Sequence, residues 1–193
     1  MLDDAGLDLI FRKARTHNAW ADIPVEDALL RQIYELAKLG PTGANSSPMR
    51  VVFVKSKEAK ERLRPCLSPG NVDKTMAAPV CAILAYDLRF YERMDHLFPH
   101  NPAARSWFEG KPTAERDAMQ NATLQAAYFM IAARALGLDC GPMGGFDNAK
   151  LDREFFPDER IKSNLLCNLG HGVDEKLLPR LPRLPFDEAC RIV

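Results

Sequence analysis

Cys140-Gly141-Pro142-Met143-Gly144-Gly145-Phe146 is the stretch around which this chain is organised. Three glycines and a proline within five positions leave few side chains along the backbone, so a flat molecule can come within contact distance of it. Peptide N–H groups that the chain itself does not use can then donate to that molecule. An ordinary turn is the alternative, because turns favour the same residues. The rest of the sequence decides between these two interpretations.

Length and composition limit the kind of protein this can be. The chain has 193 residues, 47% of them hydrophobic, which suffices for one core and predicts a single domain over residues 1–193. Basic and acidic residues both number 26, so the formal net charge of zero argues against nucleic acid or an anionic membrane as partner. No apolar run approaches the roughly 18 residues of a membrane span. Five cysteines without a C-x-x-C pair favour a reducing, cytoplasmic location.

Helix and strand patterns follow each other along the chain. Apolar spacing predicts helices over residues 4–14, 26–39, 57–64, 71–78, 113–136 and 147–155. Apolar, β-branched runs predict strands over residues 50–55, 80–86 and 164–172. Because helices lead and three or four strands are scattered among them, the fold class is α+β or a three-layer α/β/α arrangement.

Three segments depart from ordinary amphipathic patterns. The helix over 113–136 is apolar around most of its circumference, which indicates a helix that is central to the fold or shared between subunits. Residues 89–111 show no clean period, and we interpret them as a partly helical excursion that could form a lid or face a substrate. The tail from residue 173 is rich in Pro, Leu and Arg and is not expected to pack on its own chain.

Common catalytic motifs are missing from the sequence. It contains no G-x-x-x-x-G-K-[ST], no G-x-G-x-x-G after a strand, no G-x-S-x-G and no H-E-x-x-H. The four histidines are far apart along the chain (His17, His96, His100 and His171). The sequence therefore predicts neither a hydrolase triad nor a metal site.

Polar residues gather instead at the edges of apolar elements. They form four groups along the chain: Arg15, Thr16 and Asn18; Asn45 and Ser46; Asn71 and Lys74; and Arg180 and Arg183. Each group alone would be read as solvated surface. Together they supply what a phosphorylated, flat heterocycle requires, because arginine pairs with phosphate oxygens and the glycine-rich backbone suits a ring.

With these residues assembled, the chain resembles the nitroreductase superfamily of FMN-dependent oxidoreductases, most closely the RutE/HadB-like branch that includes malonic semialdehyde reductase. Ala14-Arg15-Thr16-His17-Asn18-Ala19-Trp20 is similar to the motif that holds the FMN phosphate and ribityl chain. The loop Gly40-Pro41-Thr42-Gly43-Ala44-Asn45-Ser46-Ser47-Pro48 is similar to the P-[ST]-x-x-N-x-x-P loop that reaches the flavin of the partner subunit. Its predicted ligands are Pro41, Thr42, Asn45 and Ser46.

The resemblance also covers the later motifs. Asn71-x-x-Lys74 matches the pair beside the pyrimidine end of the flavin, and Pro142-Met143-Gly144-Gly145-Phe146 occupies the place beside the flavin N5. Arg183 matches the phosphate-binding arginine of the tail. Three positions depart from the family pattern: Asn18 replaces a second basic residue, Gly144 an acidic residue, and Leu181 a lysine for which Arg180 could substitute.

The resemblance implies a nitroreductase-like fold with a central mixed sheet flanked by helices, an extended C-terminal tail, and a homodimer with FMN at its interface. NADH or NADPH would deliver hydride to the flavin, and a small acceptor would take it back. Lys74, near N1 and O2, and the N–H of Gly144 or its neighbour would be the catalytic groups. The branch favours malonic semialdehyde, reduced to 3-hydroxypropanoate. A broad nitro or quinone reductase and a non-enzymatic flavin-binding protein are the alternatives.

Overall fold

The structure is a computed structural model that describes residues 1–193. Its helices are α1 (Asp4–Leu7), α2 (Asp27–Ala37), α3 (Lys57–Leu63), α4 (Pro69–Ala77), α5 (Met94–Leu97), α6 (Ala114–Ala135), α7 (Asn148–Phe155) and α8 (Phe186–Ala189). Its strands are β1 (Met49–Val54), β2 (Val80–Asp87), β3 (Asp139–Met143) and β4 (Ile161–Gly170). A π-helical turn (Asp8–Arg12) extends α1, and 3-10 turns occur at Gly43–Asn45, Arg64–Cys66, Phe90–Arg93, Pro102–Trp107 and Asp174–Lys176.

The four strands form one sheet in the order β1-β2-β4-β3, and every neighbouring pair is antiparallel. The expected mixed sheet is therefore wrong for this chain, since parallel pairing is limited to an isolated bridge between Thr16 and Cys140. Strand direction is set by how each connection crosses the sheet, and the spacing of apolar residues does not record it. β2 is buried at every position, as its uninterrupted apolar run predicts.

Helices cover both faces of this sheet and create two hydrophobic cores. On one face α2 and α6 contribute Ile33 and Phe129 to the larger core, which also includes β2 residues such as Leu84. On the other face α3 and α7 contribute Leu63 and Leu151. This arrangement confirms the predicted three-layer α+β class.

The long helix α6 buries a face made mainly of small residues. Its buried positions are Ala118, Ala122, Gln125, Ala126, Phe129, Ala132 and Ala133. The larger apolar side chains of Met119, Leu124 and Tyr128 are exposed. The helix is therefore central to the fold and also presents an apolar outer face. No helix has both the length and the hydropathy that crossing a bilayer requires.

The glycine-rich stretch over residues 140–146 is partly a strand. Cys140 to Met143 belong to β3, whose partner is β4, so an ordinary turn is excluded for these residues. Pro142 is accommodated because β3 is the last strand of the sheet, where a missing N–H is tolerated. Only Gly144 and Gly145 remain as a loop, immediately beyond the strand.

Residues 89–111 form short helices, as predicted, and they leave the sheet from a buried ion-pair cluster. Asp87, 2% exposed at the end of β2, accepts hydrogen bonds from Arg50 (2.6 Å), from Arg160 (2.7 and 2.9 Å) and from the Arg89 N–H (2.8 Å). Burial alone would raise the Asp87 pKa, but the bonds from Arg160 and Arg89 and the charge of Arg50 outweigh it, so the pKa is lowered. The hydrogen bonds to Asp87 therefore hold the start of residues 89–111 in place.

Candidate active site

Residues 12–21 and 171–180 run side by side in opposite directions, and we call this pair the terminal ribbon. At one end Trp20 and Gly172 form an antiparallel bridge, flanked by main-chain hydrogen bonds of 2.8 and 3.1 Å. Along the ribbon the contacts run from Trp20 with Gly172 to Arg12 with Arg180, so the two segments are antiparallel. The ribbon thus places the predicted Arg15-Thr16-His17-Asn18 motif against the start of the C-terminal tail.

Guanidinium groups connect the other end of the terminal ribbon. The Arg15 guanidinium donates to the main-chain oxygen of Leu178. In the reverse direction Arg180 donates to the main-chain oxygens of Arg12 (2.8 Å) and Ala14 (3.0 Å). Arg15 and Arg180 bond only to neutral carbonyls, so their charges are not balanced by a carboxylate at hydrogen-bond distance. Two such guanidinium groups on neighbouring segments suit a phosphate.

The other predicted arginine has a different environment. Arg183 donates only to the carbonyls of Leu181 and Pro182 beside it, and it is exposed. The structure therefore brings Arg180, rather than Arg183, next to Arg15. Thr16 and Asn18, the remaining polar members of the first motif, are exposed on the same segment.

The imidazole of His17 is buried inside the terminal ribbon. Its Nε2 lies 3.2 Å from an Asp174 carboxylate oxygen, and its Nδ1 lies 3.4 Å from an oxygen of Asp139. Its main-chain N–H donates to Cys140 over 3.1 Å. The ring also lies directly against Gly172, where a Cβ atom would be 2.0 Å from it. His17 therefore joins the first motif, β3 and the start of the tail.

Trp20 connects the terminal ribbon to α4, which carries Lys74. Its indole N–H donates to the main-chain oxygen of Lys74 over 3.1 Å, and Asn168 donates to the same oxygen over 3.4 Å. The Trp20 ring lies close to Gly141, where an added Cβ would be 3.1 Å from it. The ammonium of the partly buried Lys74 has no carboxylate within ion-pair distance among the fifteen ion-pair contacts of the chain.

Asn71 and the loop after β3 form the next part of the site. The Asn71 side chain donates to the main-chain oxygen of Gly145 over 2.7 Å, and a Cβ at Gly145 would be 2.5 Å from the same nitrogen. Around Gly144, by contrast, an added Cβ would meet nothing within 4 Å. The N–H groups of Gly144 and Gly145 donate no main-chain hydrogen bond. The loop therefore offers two free donors beside open space, next to the predicted Pro142 and Met143.

The C-terminal end of α4 is fixed by a buried lysine that sequence reasoning missed. Lys60, 8% exposed, donates to the main-chain oxygen of Ala78 and, over 3.3 Å, to that of Met76. Burial lowers the pKa of its ammonium group. A cation at this position also interacts favourably with the helix dipole. The sequence signal for this role is that Lys60 lies three residues before Leu63, on the buried face of α3.

The loop over residues 41–48 is the second group of predicted site residues, and its backbone is strained. Ala44, Asn45 and Ser47 have φ values of 51°, 52° and 42°, in the left-handed region that costs a non-glycine residue roughly 1–2 kcal/mol. The hydroxyl of Thr42 accepts from the Ser47 N–H over 3.1 Å. The Asn121 side chain accepts from a main-chain N–H of the loop over 2.6 Å. Strained backbone held in this way is found preferentially at functional sites.

This loop faces the excursion rather than the terminal ribbon. The side chain of Asn45 donates to the main-chain oxygen of Leu97 over 2.8 Å. Pro41 is exposed, whereas Ser46 is buried with no partner for its hydroxyl. None of these hydrogen bonds reaches Lys74 or the loop at Gly144. The predicted site residues therefore form two groups in one copy of the chain.

A further cavity is lined by none of the predicted site residues. It is a groove of about 1000 Å³ between α2 and β1, and its lining includes Leu30, Tyr34, Met49, Val51 and Phe53. β1 is the other terminal strand of the sheet, so the groove follows a strand with one unpaired side. Such an edge can accept a further chain segment.

The whole chain is similar to known proteins. A relative from Cupriavidus pinatubonensis, provisionally named an NADH dehydrogenase/NAD(P)H nitroreductase, is 56% identical over 96% of each chain. A relative from Ralstonia pickettii with the same provisional name, HadB, is 54% identical over 96% of each chain. The structure of a provisionally named nitroreductase in complex with FMN, from Exiguobacterium sibiricum, superposes with a TM-score of 0.88. It is 20% identical and aligns over 100% of this chain and 98% of its own, which shows a shared fold.

The sequence model of the nitroreductase family matches residues 12–171, from the start of the terminal ribbon to the end of the turn after β4. The match therefore includes the segment of Arg15, the loop over 41–48, α4 and the glycine-rich stretch. The family resemblance inferred from these motifs is confirmed by this match and by the relatives above half identity. The chain belongs to the nitroreductase family.

Proposed function

We propose that this protein uses FMN and NAD(P)H to reduce a small organic acceptor, with malonic semialdehyde, reduced to 3-hydroxypropanoate, as first candidate. As a nitroreductase it is an FMN-dependent NAD(P)H oxidoreductase. FMN, when bound, would supply the hydride-transfer chemistry between NAD(P)H and the acceptor. The observation that carries the proposal is the shared framework of Lys74, the free N–H groups of Gly144 and Gly145, and the uncompensated guanidinium groups of the terminal ribbon.

The terminal ribbon would hold the phosphate end of FMN. Arg15 and Arg180 supply positive charge, and Thr16 and Asn18 supply exposed polar side chains for the sugar-like chain. Arg183 lies three residues beyond Arg180 on the tail and would add a third guanidinium group. His17 belongs to the same segment.

The loop after β3 and α4 would hold the ring. Asn71 and Lys74 lie three residues apart on α4, so they share one face of the helix. The ammonium of Lys74 supplies positive charge where negative charge develops during reduction, which is the most effective form of electrostatic catalysis. The free N–H of Gly144 would donate a hydrogen bond to the ring, and the missing side chain there leaves room for the acceptor. Pro142 and Met143 form the adjoining wall.

We further propose a homodimer, because the chain exposes more apolar surface than a monomer is expected to. In the tail, Leu178, Leu181, Leu184, Phe186, Ile192 and Val193 are all exposed. The tail of a second copy could occupy the groove along β1, where its backbone would extend the sheet and its leucines would cover Leu30 and Phe53. In such a dimer the loop with Pro41, Thr42, Asn45 and Ser46 would reach the flavin of the other copy, which would unite the two groups of site residues.

The cysteines support a reducing, cytoplasmic location, which we propose as well. All five are free, and four of them are buried. Burial raises the pKa of the Cys81 thiol to about 12 and also raises that of Cys66. Neither thiol is therefore reactive near neutral pH, and no cysteine is needed for the proposed chemistry.

Colour provides the first experiment. Purified protein should be yellow, and NADH or NADPH should bleach it under nitrogen. Yellow protein that does not bleach would favour the non-enzymatic flavin-binding alternative, and colourless protein that takes up no FMN would contradict both.

The acceptor is tested by mixing reduced protein rapidly with malonic semialdehyde, a quinone, a nitroarene or oxygen. Fastest reoxidation by the quinone or nitroarene would favour the broad-specificity alternative, to which the relatives' names point.

A further inference from the structure

We propose that His17 is a positioning residue: its buried imidazole fastens the start of the tail, at Asp174, to the segment of Arg15 and so sets affinity for the phosphate of a flavin nucleotide. This inference rests on the proposed function. The ring is 3% exposed, with one nitrogen 3.2 Å from Asp174 and the other 3.4 Å from Asp139. A ring enclosed in this way acts through the protein, since it has no free face for a ligand.

The two carboxylates depend on His17 to different degrees. Asp139 also accepts a hydrogen bond from the Gly172 N–H over 2.8 Å, so it is held without the histidine. The Asp174 side chain is 85% exposed, and His17 is the only group that it bonds. The contact between Nε2 and Asp174 is therefore the one that His17 alone provides.

The His17–Asp174 contact matters because of its position in the terminal ribbon. On one side of it lie the main-chain hydrogen bonds around Trp20 and Gly172. On the other side only the side chains of Arg15 and Arg180 connect the two segments, and both are at the surface. Without the His17–Asp174 contact, the only hydrogen bonds between residues 174–180 and residues 12–17 would be those of these two surface arginines. The two guanidinium groups would then separate, and a phosphate would lose their joint grip.

Riboflavin provides the discriminating ligand, because it has the ring and sugar chain of FMN without the phosphate. Loss of the His17–Asp174 contact should weaken FMN binding about tenfold, the loss of roughly one charge-assisted hydrogen bond, and leave riboflavin binding within about twofold. General damage to the fold would weaken both ligands alike. The affinity ratio of FMN to riboflavin therefore reports the positioning role.

Two substitutions separate the nitrogens of His17. The amide of asparagine falls near the position of Nδ1, which makes no hydrogen bond, so His17→Asn loses the bond to Asp174. The amide of glutamine falls near Nε2, so His17→Gln can keep Asp174. Titration of the full-length apoprotein should show a reduced FMN-to-riboflavin ratio for His17→Asn and recovery for His17→Gln. Equal ratios in wild type and His17→Asn would overturn the proposal, as would equal loss in both variants.

Asp174→Ala removes the same contact by deleting its exposed carboxylate. This variant replaces His17→Asn in the test if His17→Asn does not fold. It should reproduce the drop in the affinity ratio, and the double variant with His17→Asn should show no further drop, because both remove one interaction. An unchanged ratio in Asp174→Ala would refute the proposal. Wild-type protein that binds neither FMN nor riboflavin would overturn the proposed function first and this inference with it.

Discussion

The indole N–H of Trp20 donates to the main-chain oxygen of Lys74 over 3.1 Å, across 54 residues of sequence. This bond joins the terminal ribbon, which carries Arg15, to α4, which carries Lys74. A single side chain therefore fixes the relative positions of the groups that would hold the two ends of one flavin. Residues fixed by such supporting bonds keep catalytic geometry more accurately than residues on independent loops.

Trp20→Phe should slow the reduction of bound FMN by NAD(P)H about fivefold. Phenylalanine keeps an aromatic ring near Gly141 but lacks the N–H, and one hydrogen bond is worth about 1 kcal/mol. Rapid-mixing absorbance at the flavin band measures the rate. A thermal midpoint close to that of wild type is the control for folding. Wild-type reduction rates in this variant would show that Lys74 keeps its place without Trp20.

Lys74→Met should slow the same step much further, by about 100-fold, because an uncompensated positive charge is removed from the proposed site. The fold should persist, since Lys74 makes no ion pair. Lys57→Met, which removes an exposed lysine from the neighbouring helix α3, is the matched control and should react at the wild-type rate. Unchanged kinetics in Lys74→Met would remove Lys74 from the mechanism.

Gly145→Ala and Gly144→Ala should differ although they are neighbours. The new methyl group at position 145 would lie 2.5 Å from the Asn71 side chain and displace it from its bond to the Gly145 carbonyl. At position 144 the methyl group meets open space. FMN should therefore bind Gly145→Ala about tenfold more weakly than Gly144→Ala, as fluorescence titration would report. Equal affinities would show that Asn71 does not contribute through this contact.

Removal of the tail from Leu177 onward should abolish the dimer and flavin binding together. The truncation removes Arg180 from the terminal ribbon and also the exposed apolar residues proposed to fill the groove along β1. Size-exclusion chromatography with absorbance at the flavin band measures both properties in one run. A stable, yellow, truncated monomer would contradict the proposed role of the tail.

Asp87→Asn should destabilise the protein by about 3 kcal/mol at neutral pH, because Arg50 and Arg160 lose the charge that pairs them. The Asp87 pKa is lowered in the folded state, so its stabilisation is complete above the unfolded value near 3.9 and is lost as pH falls through the folded value. Urea unfolding at about pH 7 and about pH 3 should show a difference between wild type and variant that shrinks with acidity. A pH-independent difference would mean that packing, not charge, explains the loss.

The sequence predicts the elements of this fold well because their signals are local. The apolar run of β2 and the cap at Asp147, whose side chain accepts from the Lys150 N–H over 3.0 Å, both act within a few residues. Strand direction was mispredicted because helical connections decide it. β3 was missed because glycine and proline favour loops in short-range statistics.

In the candidate site, too, local motifs are visible in the sequence, whereas contacts between distant residues are not. Motif resemblance assembles Arg15, Asn71, Lys74 and the glycine-rich stretch, but it does not show how they are held. Lys60 and Asn168 support α4 from other elements, Lys60 as one of several charged residues of α3 and Asn168 as a polar residue in an apolar part of β4. Pairings such as His17 with Asp174, 157 residues apart, leave no periodic signal in the sequence.

The terminal ribbon also fixes when the protein can become functional during its synthesis. Its two segments lie far apart along the chain, and at roughly 5–20 residues per second the ribosome makes residue 174 about 8–30 seconds after residue 17. Throughout that interval Arg15 has no tail beside it and Trp20 has no Gly172 to pair with. If the terminal ribbon holds the FMN phosphate as proposed, that part of the site forms only after Arg180 has been made, although Arg15 and Lys74 are made much earlier.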